Sequence, residues 1–345
     1  MLKKAIIYLL PTLFLFNGCI SEESYENSNQ GNFEALWKII DEHYCFFDVA
    51  KKEFGLNWNN IHDKYKTIVD TCKNDQELFT VFGEMLGELR DGHVNLSSFY
   101  GTSYYWDWQL NHPVNFSDSI QRNYLGNNFK LTNGIKYTTF TDDSIGYVYY
   151  ESFSGGLSTN NLSQMLIDLK DTKGIVLDIR NNGGGLVTTA ETLASAFTDE
   201  KRLCGYMLHK TGPGHNDFSE PEAIYLEPSN GTIWLRPVIV LTNRGVYSAA
   251  NHFVMLMKEL HNVLILGDKT GGGSGLPMSY TLPNGWNIRL SACPTLDAKG
   301  NSTEFGIEPK MRVDITSKDW NNGRDTMIEA AKTIILEYYK KKSEQ

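Results

Sequence analysis

Ser248 is a candidate nucleophile, because it lies where the sequence predicts a change from strand to helix. Residues 238–241 (Val-Ile-Val-Leu) form a short apolar run that predicts a buried strand, and the segment from Ser248 to about residue 260 has helical spacing. A serine at such a turn lies beside the free N–H groups of a helix N-terminus, which can hold an oxyanion. Serine is also a common helix N-cap, so the turn alone leaves both roles open.

A glycine turn, Gly183-Gly184-Gly185, follows a second apolar run at residues 174–179. Consecutive glycines permit positive φ angles and a close approach of the backbone to a ligand. A phosphate-binding loop is the main alternative, but the G-x-G-x-x-G pattern and the Lys-Ser/Thr ending are both absent here. Bare N–H donors at the end of a parallel strand suit an oxyanion hole.

A serine nucleophile needs a general base, and two residues are candidates. His93 ends the sequence Arg90-Asp91-Gly92-His93, next to small and acidic residues. Lys269 follows Ser248 in the chain, and Ser–Lys dyads are a known arrangement. Residue type and spacing alone do not choose between the histidine and the lysine.

The elements that must position these residues alternate from about residue 143 onwards. Apolar runs predict strands buried in a parallel sheet at residues 145–150, 174–179, 238–241 and 263–267. Helical patterns are predicted at residues 157–170, from the glycine turn to about 197, at 248–260 and at 325–340, with hairpins at 278–313. This alternation indicates an α/β fold.

The segment before this core is predicted to be helical. Apolar residues at helical spacing between residues 31 and 98 indicate a small helical bundle. Residues 99–142, rich in Asn, Gly, Ser and Tyr, are interpreted as a connecting segment. The aromatic run at residues 104–108 fits the wall of a substrate groove or an ordinary sheet face, and we expect the sheet face.

Bulk composition excludes several classes of protein. The 345 residues are 41% hydrophobic and 21% charged, which is ordinary for a globular chain with a sizeable core. The net charge of −9 and the lack of a long basic stripe argue against a nucleic-acid partner. No Cys-x-x-Cys or His/Cys cluster is present, so we expect no metal and no cofactor. Cys45, Cys72, Cys204 and Cys293 are expected to be buried free thiols, with a Cys45–Cys72 disulfide as the alternative.

The N-terminus predicts export and lipid attachment. Lys3 and Lys4 precede an apolar run at residues 5–16, which is too short to span a bilayer and is typical of a secretory signal. The run ends at Asn17-Gly18-Cys19, which indicates cleavage and diacylation at Cys19. We therefore expect a lipid-anchored protein of a bacterial cell envelope, held at the outer membrane and facing the periplasm or the cell surface.

A series of motifs in fixed order resembles peptidase family S41, which includes the C-terminal processing (tail-specific) peptidases, the tricorn core protease and the interphotoreceptor retinoid-binding modules. The resemblance extends from about residue 33 to residue 315. The motifs are Leu89-Arg90-Asp91-Gly92-His93, Ile145-Gly146-Tyr147, Leu177 to Gly185, Ser248-Ala249-Ala250, Gly267 to Gly272 and Glu304 to Pro309.

The resemblance implies a crotonase-like or ClpP-like core of sheet and helices, with backbone N–H groups of Gly184 (or Gly183) and Ala249 as oxyanion donors. Processing peptidases carry a lysine base where this chain has Gly273. The tricorn branch uses a histidine and a glutamate instead, which implies a Ser248–His93–Glu304 relay. A serine precedes the histidine in that branch. Here the residue is Gly92, so the link from Glu304 to His93 is either direct or through water.

These inferences divide the chain into five segments: a signal peptide (1–18), a polar tether (19–30), an N-terminal helical domain (31–98), a connecting segment (99–142) and a catalytic core (143–345). The connecting segment is too short for the PDZ domain that these peptidases usually carry. The expected function is a serine peptidase acting on peptides or proteins through an acyl-enzyme. The alternatives are an ester hydrolase with the same relay and an inactive protein that binds an apolar ligand.

Overall fold

The computed structural model of the chain describes residues 25–343, and Cys19 and the predicted signal lie outside that range. The described residues contain eleven helices. They are α1 (Asn29–His43), α2 (Phe47–Phe54), α3 (Trp58–Val69), α4 (Asp75–Gly87), α5 (Asp107–Leu110), α6 (Asp118–Leu125), α7 (Thr159–Asp168), α8 (Val187–Ser195), α9 (Ala249–Met257), α10 (Ser317–Asn321) and α11 (Thr326–Ser343).

Thirteen strands accompany these helices in the described part of the chain. They are β1 (Asn95–Ser98), β2 (Gly101–Thr102), β3 (Lys130–Thr132), β4 (Ile135–Phe140), β5 (Ile145–Tyr149), β6 (Ile175–Asp178), β7 (Arg202–Met207), β8 (Glu222–Leu226), β9 (Val238–Thr242), β10 (Val263–Gly267), β11 (Gly275–Thr281), β12 (Asn287–Asp297) and β13 (Met311–Arg312). The fold class is α/β, as the alternation of elements predicts.

A seven-stranded sheet has the order β13-β10-β9-β6-β5-β4-β3. Strands β5, β6, β9, β10 and β13 are parallel, and every residue of β6 and β9 is buried. This confirms the prediction that the apolar runs are central strands covered on both faces. Because the strands are parallel, β6, β9 and β10 all end at the same edge, and the loops after them meet there.

Two layers of helices cover this sheet. One face packs against α7, α8 and α9 in a core that includes Leu166, Leu193 and Phe253. The opposite face packs against α11 through Met327, Ile328 and other apolar residues. Such a three-layer arrangement holds the carboxyl ends of the strands rigidly, which the loops after them require if they are to position reacting groups.

The second sheet carries the order β2-β1-β12-β7-β8, with β11 also paired to β12. Its central strand β12 shares one core with the N-terminal helices, in which Ile288 and Leu290 contact apolar residues of α1 to α4. Ser28, Asn57 and Asn74 cap α1, α3 and α4 through side-chain oxygens that accept backbone N–H bonds. The N-terminal helices and the second sheet therefore form one packed unit.

Several elements depart from the sequence pattern. Strands β7 and β8 and helix α2 are not predicted by it. The region 278–313 contains one hairpin, β11–β12, followed by β13, which lies parallel to β10. The four described cysteines are free thiols, and Cys45, Cys204 and Cys293 are buried as expected, whereas Cys72 is only half-buried.

Candidate active site

Ser248 lies directly before α9 in a backbone conformation that side chains rarely adopt. Its φ is 57° and its ψ is −124°. A non-glycine residue in this region is strained, and such strain is concentrated at functional sites. Its N–H donates to the carbonyl of Gly272 at 2.8 Å, and its side chain makes no capping bond to α9. The hydroxyl is therefore presented outward and is not used as a helix cap.

His93 lies between α4 and β1 and faces Ser248. The distance from His93 Nε2 to Ser248 Oγ is 3.0 Å, so one hydrogen bond joins two residues that are 155 positions apart in the chain. The imidazole is 5% exposed. A nucleophile and a base within hydrogen-bonding reach are the geometric requirement for proton abstraction from the serine.

Asp91 fixes the turn that carries His93. One carboxylate oxygen accepts the backbone N–H of His93 at 2.7 Å, and the other accepts the hydroxyl of Ser291 at 2.7 Å. The side chain is 1% exposed. Asp91 is not among the residues predicted for the site, although an aspartate two residues before a candidate base is a signal for this kind of side-chain-to-backbone turn.

Glu304 lies buried on the far side of the Ser274–Gly275 backbone. Its carboxylate accepts the N–H of Ser274 at 2.7 Å and the hydroxyl of Ser274 at 3.3 Å. Burial, reinforced by the negative charge of Asp91, raises the pKa of Glu304 well above its usual value, although backbone donors of Ser274 and Gly275 favour the charged form. The site thus holds two buried carboxylates, and the negative charge of Asp91 disfavours the ionised form of Glu304.

No hydrogen bond joins Glu304 directly to His93. Within residues 25–343, Nδ1 of His93 has no partner that meets the usual distance and angle limits of a hydrogen bond. The backbone of Gly275 nevertheless favours the protonated form of the ring. Burial lowers the pKa of His93, the charge of Asp91 opposes that shift, and the charge of Arg289 adds to it. A lowered pKa keeps the imidazole neutral at physiological pH, which is the form that accepts a proton from Ser248.

The glycine turn packs against the nucleophile. A Cβ on Gly184 would lie 2.8 Å from Ser248 Cβ and 2.9 Å from Ala249 N, so only glycine fits. The N–H of Gly184 donates to Asn182 Oδ1 at 3.0 Å. Among the described residues, the N–H groups of Gly183 and Ala249 have no acceptor, and Gly183 is exposed beside Ser248.

Side-chain amides tie the loops of the site together. Asn243 accepts the N–H of Asn181 at 2.9 Å and the N–H of Gly245 at 3.0 Å, which joins the loop after β6 to the loop after β9. A backbone bond adds to these, since the N–H of Tyr247 donates to the backbone carbonyl of Asn182 at 3.1 Å. These bonds hold the glycine turn and Ser248 in one register.

Lys269 lies away from the nucleophile. Its ammonium pairs with Glu308 at 3.4 Å. At Gly273, a Cβ would lie 2.4 Å from the ring of Tyr247, so the ring occupies the space that a side chain at position 273 would need. Gly92 is equally restricted, since a Cβ there would lie 2.7 Å from Trp108 Nε1 and 2.8 Å from the Tyr247 hydroxyl. Tyr247, which is not among the residues predicted for the site, fills the space at both glycines.

Two depressions include both Ser248 and His93 in their linings. The first, which we call the apolar pocket, has a volume of about 60 Å³ and is lined by Val187, Met207 and Met255, with the start of β11. The second, which we call the aromatic cleft, has a volume of about 430 Å³ and includes Tyr104, Trp106 and Trp108.

The aromatic run does not lie on a sheet face, contrary to our expectation. Tyr104 and Trp106 lie in a loop and Trp108 lies in α5. The ring of Trp108 stacks on that of Tyr247 at 4.2 Å between centroids, and Tyr247 in turn lies 4.9 Å from His93. A loop can place aromatic rings at an active site without any periodic pattern, so spacing alone gives no signal for this placement.

A separate buried polar cluster lies near the end of β6. Arg180 contacts Asp178 through Nε at 2.8 Å and through Nη2 at 2.6 Å, and its Nη1 contacts Asp325 at 2.8 Å. The hydroxyl of Tyr147 donates to Asp178 at 2.9 Å.

Within residues 25–343, no group of three or more His, Cys, Asp or Glu side chains is arranged to hold a metal ion. In the same range, no helix is long and apolar enough to cross a membrane.

Comparison with known sequences gives two family matches. The profile of peptidase family S41 matches residues 144–313, and that of the tricorn protease C1 domain matches residues 25–87. A carboxy-terminal processing protease of Bacillus subtilis (CtpA) is 26% identical over 182 residues, which are 52% of this chain and 37% of that protein. The tricorn protease of Thermoplasma acidophilum is 24% identical over 197 residues, which are 56% of this chain and 17% of that protein. The chain thus matches well under half the length of these relatives.

The matches to solved structures cover nearly the whole chain. The crystal structure of a candidate peptidase from Parabacteroides merdae is 50% identical, with a TM-score of 0.86, and the match covers 90% of this chain and 98% of that one. Mature CPAF in complex with lactacystin has a TM-score of 0.68 at 12% identity, with 90% and 99% of the two chains covered. The second match concerns the fold alone.

Proposed function

Because this chain belongs to peptidase family S41, we propose that it is a serine peptidase in which Ser248 is the nucleophile and His93 is the general base. The observation that carries the proposal is the 3.0 Å distance from His93 Nε2 to Ser248 Oγ, at a strained residue before a helix. His93 removes the hydroxyl proton as Ser248 attacks the peptide carbonyl. The protonated imidazole then gives that proton to the leaving amine, and water releases the acyl group.

The N–H groups of Gly183 and Ala249 are proposed to hold the oxyanion. Both lack an acceptor in the described chain, whereas the N–H of Gly184 is bonded to Asn182. Gly184 contributes by its missing Cβ, which lets the turn approach Ser248. If the Asn182 side chain moved away, Gly184 would become a further donor. Donors fixed before the reaction cost no reorganisation when the charge develops.

The two buried carboxylates, Asp91 and Glu304, are proposed to have different roles. Asp91 holds the backbone of His93 and supplies the charge that favours the imidazolium. Glu304 orients His93 through the Ser274–Gly275 segment that lies between them, because it binds that segment by two hydrogen bonds from Ser274. Asp91 thus acts by charge and Glu304 mainly by position.

Two other activities on the same fold are less well supported. A protein that binds a large apolar ligand needs a cavity of roughly 300–1,000 Å³. The apolar pocket, at about 60 Å³, is suited to one small side chain of a substrate. The aromatic cleft, at about 430 Å³, reaches that range, but its lining includes the candidate catalytic pair, Arg289 and several side-chain amides. Ester hydrolysis uses the same chemistry, and a side-by-side assay of matched peptides and esters separates the two activities.

The direct test is labelling by a fluorophosphonate probe, combined with hydrolysis of a mixed peptide library. The wild-type chain should be labelled and should release peptide fragments, and Ser248→Ala should do neither while keeping the same melting temperature. Labelling that persists in Ser248→Ala would assign the nucleophile to another residue and overturn the proposal.

We also propose that the protein is exported and lipid-anchored at Cys19. The support is the basic start, the short apolar run and the Gly18-Cys19 pair, all outside the described residues. Metabolic labelling with an alkyne fatty acid should mark the wild-type chain and should miss Cys19→Ser. Recovery of Cys19→Ser in the membrane fraction with unchanged labelling would contradict the anchor.

A further inference from the structure

The aromatic cleft contains a row of rings that leads from the surface to the candidate catalytic pair. Centroid distances are 5.2 Å from Tyr104 to Trp106 and 6.3 Å from Trp106 to Trp108, and Trp108 stacks on Tyr247. Tyr104 and Trp106 are 54% and 47% exposed. Exposed neighbouring rings offer apolar surface at low entropic cost, so this wall is suited to an extended chain carrying aromatic or apolar side chains.

The charge of the cleft is unusual for this protein. The sequence has 41 acidic residues and a net charge of −9. Among the described residues that line the cleft there is no Asp, Glu or Lys, and Arg289 is the one that carries a permanent charge. A positive group in a cleft with aromatic walls attracts an anion more strongly than the same group on an open surface.

Arg289 is held on a rigid element and has no partner for its charge. It lies on β12, opposite Asn95 of β1 and Ser279 of β11. Its neighbours Ile288 and Leu290 are buried in the helical core, while Arg289 itself is exposed on the other face. Within residues 25–343, no carboxylate lies within ion-pair distance of its guanidinium, whereas several other arginines have such a partner.

Arg289 also acts on the reacting groups. Arg289 lines the same cleft as His93 and Ser248, and its positive charge contributes to the lowered pKa of His93. A substrate anion bound to Arg289 would therefore lie near the scissile bond. The planar fork of a guanidinium binds a carboxylate by two parallel hydrogen bonds.

We propose that Arg289 is a specificity-determining residue that binds a carboxylate of the peptide substrate, while the aromatic cleft holds the adjoining side chains. The inference rests on the proposed peptidase function and adds the substrate class, which is a peptide with a negative charge close to the cleavage site. The carboxylate belongs either to the C-terminal end of the peptide or to an acidic side chain.

Binding to an inactive variant tests this independently of catalysis. Ser248→Ala protein is titrated with three hexapeptides that share one Phe-containing sequence: a free C-terminal acid, its amide, and an amide with Asp as the last residue. Binding is followed by tryptophan fluorescence, since Trp106 and Trp108 lie in the cleft, and by calorimetry. The acid should bind about 10- to 100-fold more tightly than the amide if Arg289 binds the chain end. The Asp amide should recover that affinity if Arg289 binds a side chain.

The Ser248→Ala/Arg289→Gln variant should lose this preference and bind the plain amide as before. The matched control is Arg202→Gln, a strand arginine of the same sheet that pairs with Glu200 outside the cleft and should leave the preference unchanged. Equal affinity for acid, Asp amide and plain amide, equal loss for all peptides in Arg289→Gln, or no binding of any peptide would overturn the proposal. If peptides bind with this preference but the wild type hydrolyses none of them, the peptidase function fails and the carboxylate site stands.

Discussion

Two buried polar clusters near the carboxyl ends of β6 and β9 are built in opposite ways. In the first, the guanidinium of Arg180 is bonded to both Asp178 and Asp325, and Asp325 also caps the start of α11. In the second, Asp91 and Glu304 are buried with no permanent cation bonded to either carboxylate, and Nδ1 of His93 lacks a full hydrogen bond among the described residues.

The difference separates a structural role from a chemical one. Polar groups that are fully paired hold the fold and have no bonding capacity left for a reaction. Polar groups that lack a full set of partners, lie near a like charge and have shifted pKa values can still bond to a substrate or an intermediate. Substitutions in the first cluster should therefore change stability, and substitutions in the second should change activity.

The largest effect is expected at His93. His93→Ala should lower kcat/KM for peptide hydrolysis by about 10⁴- to 10⁶-fold, because the nucleophile loses its base. Its melting temperature should change little. Lys269→Ala is the matched control, since its ammonium pairs with Glu308, and it should retain activity. Full activity in His93→Ala together with loss in Lys269→Ala would reverse the assignment of the base.

The next effect concerns the structural cluster. Arg180→Leu should lower the free energy of unfolding by about 3–5 kcal/mol, because it leaves Asp178 and Asp325 buried without their cation. Urea denaturation measures this, and Arg202→Leu, which breaks an exposed pair with Glu200, should cost at most about 1 kcal/mol. A stable Arg180→Leu protein that has lost only activity would erase the distinction between the two clusters.

A smaller effect distinguishes the two carboxylates of the site. Asp91→Asn removes the charge that favours the imidazolium and should lower kcat/KM by about 10²-fold. The raised pKa of Glu304 favours its neutral form, and glutamine has nearly the same shape as that form. Glu304→Gln should therefore lower kcat/KM by about tenfold or less. Steady-state kinetics of the two variants, each checked for its melting temperature, give the order. The reverse order would make Glu304 the charged partner of His93.

The smallest effect is a pH dependence of stability. The pKa of Glu304 is raised in the folded protein, so the folded state keeps a proton that the unfolded chain releases above about pH 4.5. This contribution to stability is complete below that pH and is lost as the pH rises through the folded-state pKa.

The stability of the wild type relative to Glu304→Gln should therefore decline as the pH rises. Urea midpoints measured from pH 4.5 to pH 8 test this, with Glu308→Gln as a control substitution at an exposed carboxylate. A difference that stays constant or grows with pH would show that Glu304 is ionised in the folded protein.

Much of the α/β core follows from local pattern. Residues 174–179 and 238–241 are continuously apolar, and the turns after them contain the glycines and the serine that a catalytic loop needs. Strands β7 and β8 are less evident from the sequence because they are only partly buried and form an irregular antiparallel pair, without a clear alternation of apolar and polar residues.

The site was only partly predictable, for a different reason. Ser248 and its turn are local features, but the contact with His93 depends on the packing of the second sheet against the first. Trp108 belongs to the aromatic run at residues 104–108, for which the sequence left a groove wall and a sheet face open, and Tyr247 gives no signal of its own, because a lone aromatic residue in a turn is equally compatible with a surface and with a site. Asp91 was visible as part of an Asp-x-His pattern, but its role depends on Ser291, two hundred residues further along the chain.

The space filled by Tyr247 restricts how this site can change by single mutations. A side chain at position 273 and the present Tyr247 ring exclude one another. Position 273 is also where the resemblance to the processing peptidases implies a lysine base. A change from a histidine base to a lysine base in this scaffold would need at least two substitutions, one of which makes room before the other becomes useful. Each intermediate sequence would have a displaced ring or an empty space beside His93, so selection would act against the first step and keep the histidine in place.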